Sequence, residues 1–384
     1  MHDFMDLALL GLRSVATVAA CAGIGAYARW QGVLDKAGQQ VLDRFVQSIF
    51  LPALIFDKVT PNTNAEDLRA LWPMAVMCVF TVAYGLGAGA AIGTFLARFV
   101  REQRTVLLYR PVLMVASGFP NSFSVPLVLM LALGDDPVLT KMGCSGKALS
   151  DRINLLFLLS YVVWVFTRWS IGYPLMSGAI SFKAWRLKVM NPPVISCFVA
   201  VAVGMVWAGL RSSFDSMSLG SVSVPLSTAV DYAGRCSVPA ILLTLGGRLY
   251  EAVEEIGQNG FAGAGLLSEN LVYETSRGND VAVEKLAMHP IVYLTVVLLR
   301  LVIGPLFGAL VALGFLRDIC GVMDPVVLLV CMLQSAGPPM ISIAVMAGLE
   351  GKGEREVSKI LLLTYSLSIL SWSLSIAFFL RLLG

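Results

Sequence analysis

Long apolar stretches, each bounded by charged or turn-forming residues, recur along the whole chain. A helix needs about 20 such residues to cross a bilayer. The pattern predicts spans at 6–29, 37–58, 70–97, 105–133, 152–172, 190–211, 224–249, 288–316, 323–348 and 357–381. Charges crowd the starts of the second (Asp43, Arg44) and seventh (Asp231, Arg235). The expected fold is therefore an all-α integral membrane protein with ten transmembrane helices. Met1–Asp6 lacks a basic segment of the kind that precedes a cleavable signal, so the first span is expected to remain as an anchor.

Composition agrees and narrows the function. Of 384 residues, 57% are hydrophobic and 14% charged, against about 25% charged in a soluble domain, and mean hydropathy is +0.78. A water-soluble enzyme and a disordered chain are both excluded. A net charge of +3 gives no reason to expect nucleic acid. The seven cysteines are scattered singly and the only histidines are His2 and His289, so neither metal nor cofactor is expected.

Basic residues set the expected orientation. The connections between spans one and two, three and four, five and six, seven and eight, and nine and ten carry 17 Lys and Arg at or near them, among them Arg168, Arg248 and Lys359. The opposite side carries 9, with Arg13 and Arg300 left inside spans. The richer side is expected to be cytoplasmic, with both termini lumenal or extracellular. The longest connection, Glu251–Ala287, is acidic and reads as a solvated cytoplasmic loop, its first residues continuing the seventh helix beyond the membrane.

The two halves resemble each other. "FLPALIF" matches "SVPAILL" (Pro52 and Pro239, 187 apart), "LWPMAV" matches "MHPIVY" (Pro73 and Pro290, 217 apart), and "GFPN" matches "AGPP" (Pro120 and Pro338, 218 apart). The acidic loop accounts for the jump in spacing. Five spans per half force the second half to enter the membrane from the opposite side, so two inverted five-helix repeats are expected.

In the fourth span Gly118, Pro120 and Pro126 interrupt the helix, with Asn121 and Ser122 beside the break; the ninth breaks near Gln334–Pro339. Proline removes an amide donor and clashes with the preceding turn. Open backbone at membrane depth is tolerated only where it is enclosed by protein or lines a cavity. Two such breaks are expected to cross near the midplane, where each second half-helix would present its N-terminus, with roughly +0.5 charge, to a small organic carboxylate. The expected substrate-binding residues are Pro120, Asn121, Ser122, Gln334, Ser335, Pro338 and Pro339. Arg300, deep in the eighth span, is expected either to attract the anion or to pair with a nearby carbonyl. No carboxylate lies mid-span, which disfavours obligatory coupling to an ion through one.

These motifs resemble the auxin efflux carrier superfamily, and within it the PIN-LIKES branch. The resemblance rests on Ile49–Phe56, Gly118–Pro126, Asn191–Pro193, Val238–Gly246 and Pro338–Gly348, and covers nearly the whole chain. The family's crossover asparagine and proline carry over to Asn121 and Pro120, and to Pro338 in the second half. In place of the commoner Gly-Asn-Ser/Thr-Gly-Asn form the chain reads Gly118-Phe119-Pro120-Asn121-Ser122. The resemblance implies a scaffold domain at 1–60 and 173–249, able to form a homodimer, and a transport domain at 61–172 and 288–384, with 250–287 the acidic cytoplasmic loop. It further implies an auxin-like aromatic carboxylate as substrate and the endoplasmic reticulum as the membrane, the plasma membrane being the alternative. The expected function is ATP-independent transport of such anions by elevator-like alternating access, as a uniporter. The rivals are a sodium- or proton-coupled symporter of the same fold, an intramembrane lipid enzyme and a non-transporting receptor; the spans carry no catalytic constellation.

Overall fold

The computed structural model describes residues 4–60, 71–99, 103–123, 125–127, 130, 146–178, 190, 192–211, 220–259, 288–350 and 354–383. Asn191, most of the acidic loop (260–287) and, in the fourth span beyond its break, 124, 128, 129 and 131–133 lie outside them. The described residues are almost entirely helical, and their one strand-like contact is an isolated bridge.

The helices are α1 (Phe4–Trp30), α2 (36–59), α3 (Trp72–Phe99), α4 (Gln103–Leu108 and Arg110–Gly118, joined by a turn at Tyr109), α5 (146–177) and α6 (Pro192–Arg211), then α7 (Gly220–Arg235), α8 (Ser237–Asn259), α9 (Pro290–Arg317), α10 (Pro325–Ala336), α11 (Ser342–Glu350) and α12 (Glu354–Leu383). Among the described residues α3, α9 and the 356–383 stretch of α12 are long and apolar enough to cross a membrane, and α10 and the first part of α6 are shorter apolar helices. The stretch expected as one seventh helix is instead two, because a turn at Cys236 separates α7 from α8. Pro239, with no amide to give the Arg235 carbonyl, lies just past that turn.

Local chemistry sets several boundaries. Asp35 caps α2 by accepting from the Gly38 amide at 2.6 Å. Asp324 caps α10, accepting from Val326 and Val327, with Pro325 at the first helical position, where its missing amide costs nothing. Three helices widen into a π turn just before a proline: 46–50 before Pro52, 168–172 before Pro174 and 298–303 before Pro305. The carbonyl that each proline leaves without a donor, four residues earlier, falls inside the wide turn. In α9 that carbonyl belongs to Leu301, and the Ser371 hydroxyl of α12 takes it at 2.5 Å.

Glycine lets two helix pairs approach closely. Gly85, Gly89 and Gly93 lie four apart on α3 and face α4; a Cβ on Gly85 would sit 2.2 Å from the Ser117 carbonyl oxygen. On α9 a Cβ at Gly308 would sit 1.8 Å from Ser335 Oγ of α10. Small residues at such spacing are what brings helices together where no hydrophobic force separates protein from lipid. Around the breaks the large side chains of Trp164, Trp372, Phe119 and Phe157 are fully buried.

Gly85→Ala is expected to cost about 1–3 kcal/mol by forcing α3 off the α4 backbone. Gly87→Ala, where a Cβ meets nothing within 4 Å, is expected to be neutral or to gain up to about 1 kcal/mol of helix propensity. Thermal unfolding of the two purified variants in detergent measures the difference.

Candidate functional site

The two interruptions meet. α4 ends at Gly118 and Phe119 turns extended (φ −115°, ψ 99°); α10 ends at Ala336 and Gly337 does likewise (φ −65°, ψ 155°). Both residues precede proline, whose ring disfavours helical backbone one residue upstream. The extended segments then pair antiparallel across Pro120 and Pro339. Asn121 N–H donates to the Pro338 carbonyl at 2.6 Å, and Met340 N–H donates to the Phe119 carbonyl at 2.9 Å. Pro120 and Pro339 thus face each other at the position of an antiparallel pair that exchanges no hydrogen bonds, where a missing amide leaves nothing unmade.

Arg300 closes the helix ends. Its guanidinium is fully buried and donates to Gly337 O through Nε (3.1 Å) and Nη2 (2.6 Å), to Ser335 O (2.8 Å) and to Ser117 O (3.2 Å). These are carbonyls at the C-termini of α4 and α10. Each such terminus carries roughly −0.5 charge, so the two together compensate about one positive charge. Of the two roles expected for Arg300, the structure has it pairing with carbonyls.

Asn121 Nδ2 donates to the Tyr365 hydroxyl at 2.7 Å, and that hydroxyl donates to Pro339 O at 3.1 Å. Gln334 and Ser335 belong to the last turn of α10 rather than to the open segment, which is shorter than the expected Gln334–Pro339. Gln334 is held by α5: its amide donates to Ser160 Oγ at 2.5 Å and its carbonyl accepts from Trp164 Nε1 at 3.2 Å. Ser335 Oγ donates to its own helix at Met332 O. Ser122 is buried, its hydroxyl without a partner among the described residues.

Two cavities flank the junction. One, of about 90 Å³, is lined by Asp43, Val46, Gln47 and Leu51 of α2, Tyr161 and Arg168 of α5, Ile241, Thr244 and Arg248 of α8, and Asn121, Phe123 and Met340–Ser342 at the breaks. The other, of about 210 Å³, is apolar and lies between α1, α8 and α12, with Tyr365 and Trp372 in its wall. The Asn121–Tyr365 hydrogen bond therefore joins the wall of one cavity to the wall of the other. Of the residues expected at the site, Asn121 lines the polar cavity, while Gln334, Ser335 and Arg300 line neither.

Sequence reasoning missed Arg168. It counts among the cytoplasmic basic residues on the pattern alone, yet it is 7% exposed and lines the polar cavity. Its position one π turn ahead of Pro174 was the available signal, since such turns re-aim side chains toward functional sites.

A helical protein whose interrupted helices enclose a polar cavity between packed elements is built as a membrane carrier, not as an enzyme. The chain belongs to the membrane transport protein family, that of the auxin efflux carriers, whose profile matches residues 11–376. It is 21% identical to Protein PIN-LIKES 1 of Arabidopsis thaliana, over 99% of this chain and 81% of that protein. It is 21% identical to Protein PIN-LIKES 3 of the same plant over the whole of both. An uncharacterized transporter of Saccharomyces cerevisiae is 23% identical over 66% of this chain and 73% of its own length.

Arg300→Lys keeps the charge but loses the planar fork that spans Ser117, Ser335 and Gly337. It is expected to cost at least about 3 kcal/mol, the worth of one or two hydrogen bonds to a charged group. A detergent melting curve, read beside wild type, checks this.

Proposed function

We propose that this chain is a secondary carrier of auxin-like organic carboxylates, such as indole-3-acetate, working by elevator-like alternating access as a uniporter. The observation that carries the reading is the junction of the two interrupted helices, with Asn121 in the wall of a cavity at its side. Both cavities lie between two groups of helices. α1, α2 and α8 supply one wall, and α5, α12 and the residues at the breaks supply the other. These groups fall in the proposed scaffold (1–60 and 173–249) and transport domain (61–172 and 288–384), with 250–287 the cytoplasmic loop. A cavity at such a boundary is where sliding of one group past the other exposes a ligand to alternate sides.

Further support comes from equivalent contacts in the two halves. Ser117 and Ser335, 218 apart, end the two interrupted half-helices, and Gly85 and Gly304, 219 apart, face them from α3 and α9. In this reading ten spans form two inverted repeats, the scaffold forms the dimer, both termini are lumenal, and the protein resides in the endoplasmic reticulum. An aromatic carboxylate suits the pair of cavities: the polar one takes the acid, and the apolar one takes the ring once the Asn121–Tyr365 bond opens. Pro120, Pro338 and Pro339 hold the junction, and Ser122 offers a hydroxyl beside it.

One observation favours a proton-coupled version. Glu356 of α12 is 6% exposed, accepts from the Tyr293 hydroxyl and pairs with Lys359 at 3.2 Å. The same assay separates the two.

Proteoliposomes holding the purified protein are expected to take up radiolabelled indole-3-acetate saturably, with a rate that responds to membrane potential and persists without a proton or sodium gradient. Asn121→Ala is expected to weaken substrate binding by about 1.5–3 kcal/mol, the worth of a hydrogen bond to a charged group. Flux that stops when the proton gradient is collapsed would replace uniport by symport. Absence of flux in well-folded protein would remove auxin-like acids as substrates.

A further inference from the structure

We infer that Arg168 is the cationic anchor for the substrate's acid group, held in the polar cavity that Arg168 shares with Asn121 and Ser342. The inference rests on the organic-anion reading above and names the residue that enforces it.

Among the described residues three cations are less than a tenth exposed: Arg168, Arg300 and Lys359. Arg300 is compensated by three carbonyls at two helix ends. Lys359 is compensated by Glu356 at 3.2 Å. The Arg168 guanidinium has neither a hydrogen bond nor an ion pair among the described residues, and its Nε is buried without a partner there. A buried charge left so is among the costliest features a fold can retain, and it persists where something else supplies the opposite charge.

The charge balance of the cavity says what that is. Three charged residues line it, Asp43, Arg248 and Arg168. Asp43 and Arg248 neutralise each other at 2.6 Å, which leaves Arg168 and a surplus of one positive charge. Ser342, also in the wall, opens α11, whose N-terminus adds a partial positive charge, and its hydroxyl is buried without a partner among the described residues. The guanidinium fork and a hydroxyl donor, with Asn121 beside them, match the two oxygens of a monovalent carboxylate. A neutral analogue would leave Arg168 unmatched, so the cavity selects for the charged acid.

The test is binding of indole-3-acetate, indole-3-acetamide and chloride to purified wild type, Arg168→Gln, Arg168→Lys and Ser342→Ala, with ligand-free melting temperatures alongside. Wild type is expected to prefer the acid to the amide by at least about tenfold. Arg168→Gln is expected to lower acid affinity about 10- to 100-fold and leave the amide unchanged, abolishing the preference. Arg168→Lys should fall between, and Ser342→Ala should lose a few-fold for the acid only. Because the Arg168 guanidinium makes no hydrogen bond or ion pair to the described residues, ligand-free Arg168→Gln should melt at or above the wild-type temperature. Unchanged acid affinity in Arg168→Gln, or a lower ligand-free melting temperature that Arg168→Lys restores, would overturn the anchor and leave the carrier reading intact. Wild type that binds chloride alone, or neither acid nor chloride, would overturn the organic-anion reading and the anchor with it.

Discussion

An unpaired amide or carbonyl in an apolar interior costs several kcal/mol, and the centre of this protein is arranged around that cost. Two helices stop halfway, at Gly118 and Ala336, because Pro120 and Pro338 follow. Each stop frees carbonyls behind it and amides ahead of it. The open segments satisfy part of this need in each other through the Asn121–Pro338 and Met340–Phe119 bonds. Arg300 satisfies the carbonyls behind, and Tyr365 reaches both Asn121 and the Pro339 carbonyl. Neither break is tenable alone, which ties the two halves of the chain together at a single point.

That dependence explains the packing around the point. The helices carrying the broken segments have to lie close enough for backbone to meet backbone, and a side chain at Gly85 or Gly308 would prevent it. The π turn of α9 serves the same end, since it holds Arg300 at the junction while Ser371 takes the carbonyl that Pro305 leaves open. Proline, glycine and one arginine are thus parts of one device, although they are scattered from Gly85 to Pro339.

Much of this device was legible beforehand, and the reason is the range of the forces involved. A proline acts on its own backbone and on the residue before it, so the breaks at Phe119 and Gly337 could be read locally. Side-chain direction could not. Gln334 and Ser335 looked like ligands because they are polar and adjoin a break, yet they complete the last helical turn. Gln334 faces Ser160 and Trp164, residues about 170 positions away whose approach only the tertiary fold determines. Arg168 was misread for the opposite reason: an arginine near the end of an apolar stretch ordinarily snorkels to the membrane surface. The π turn before Pro174 instead places Arg168, 7% exposed, in the wall of the cavity that α2 and α8 line. Cys236 shows the same limit, since the chain there turns between helices that hydropathy reads as one.

The contrast between the two buried arginines carries the functional argument furthest. Both sit in π turns that precede prolines, and both are buried. Arg300 meets two helix C-termini and is fully engaged, so it holds the junction at rest and has little left to offer a ligand. Arg168 meets a cavity on the boundary between helix groups, beside the junction's own asparagine. A carrier needs both kinds of charge: one spent on keeping open backbone enclosed, and one left unmatched until cargo arrives. In the proposed carrier an unmatched charge penalises the empty site and favours the bound anion, so its cost to stability would become selectivity for the acid over its neutral form.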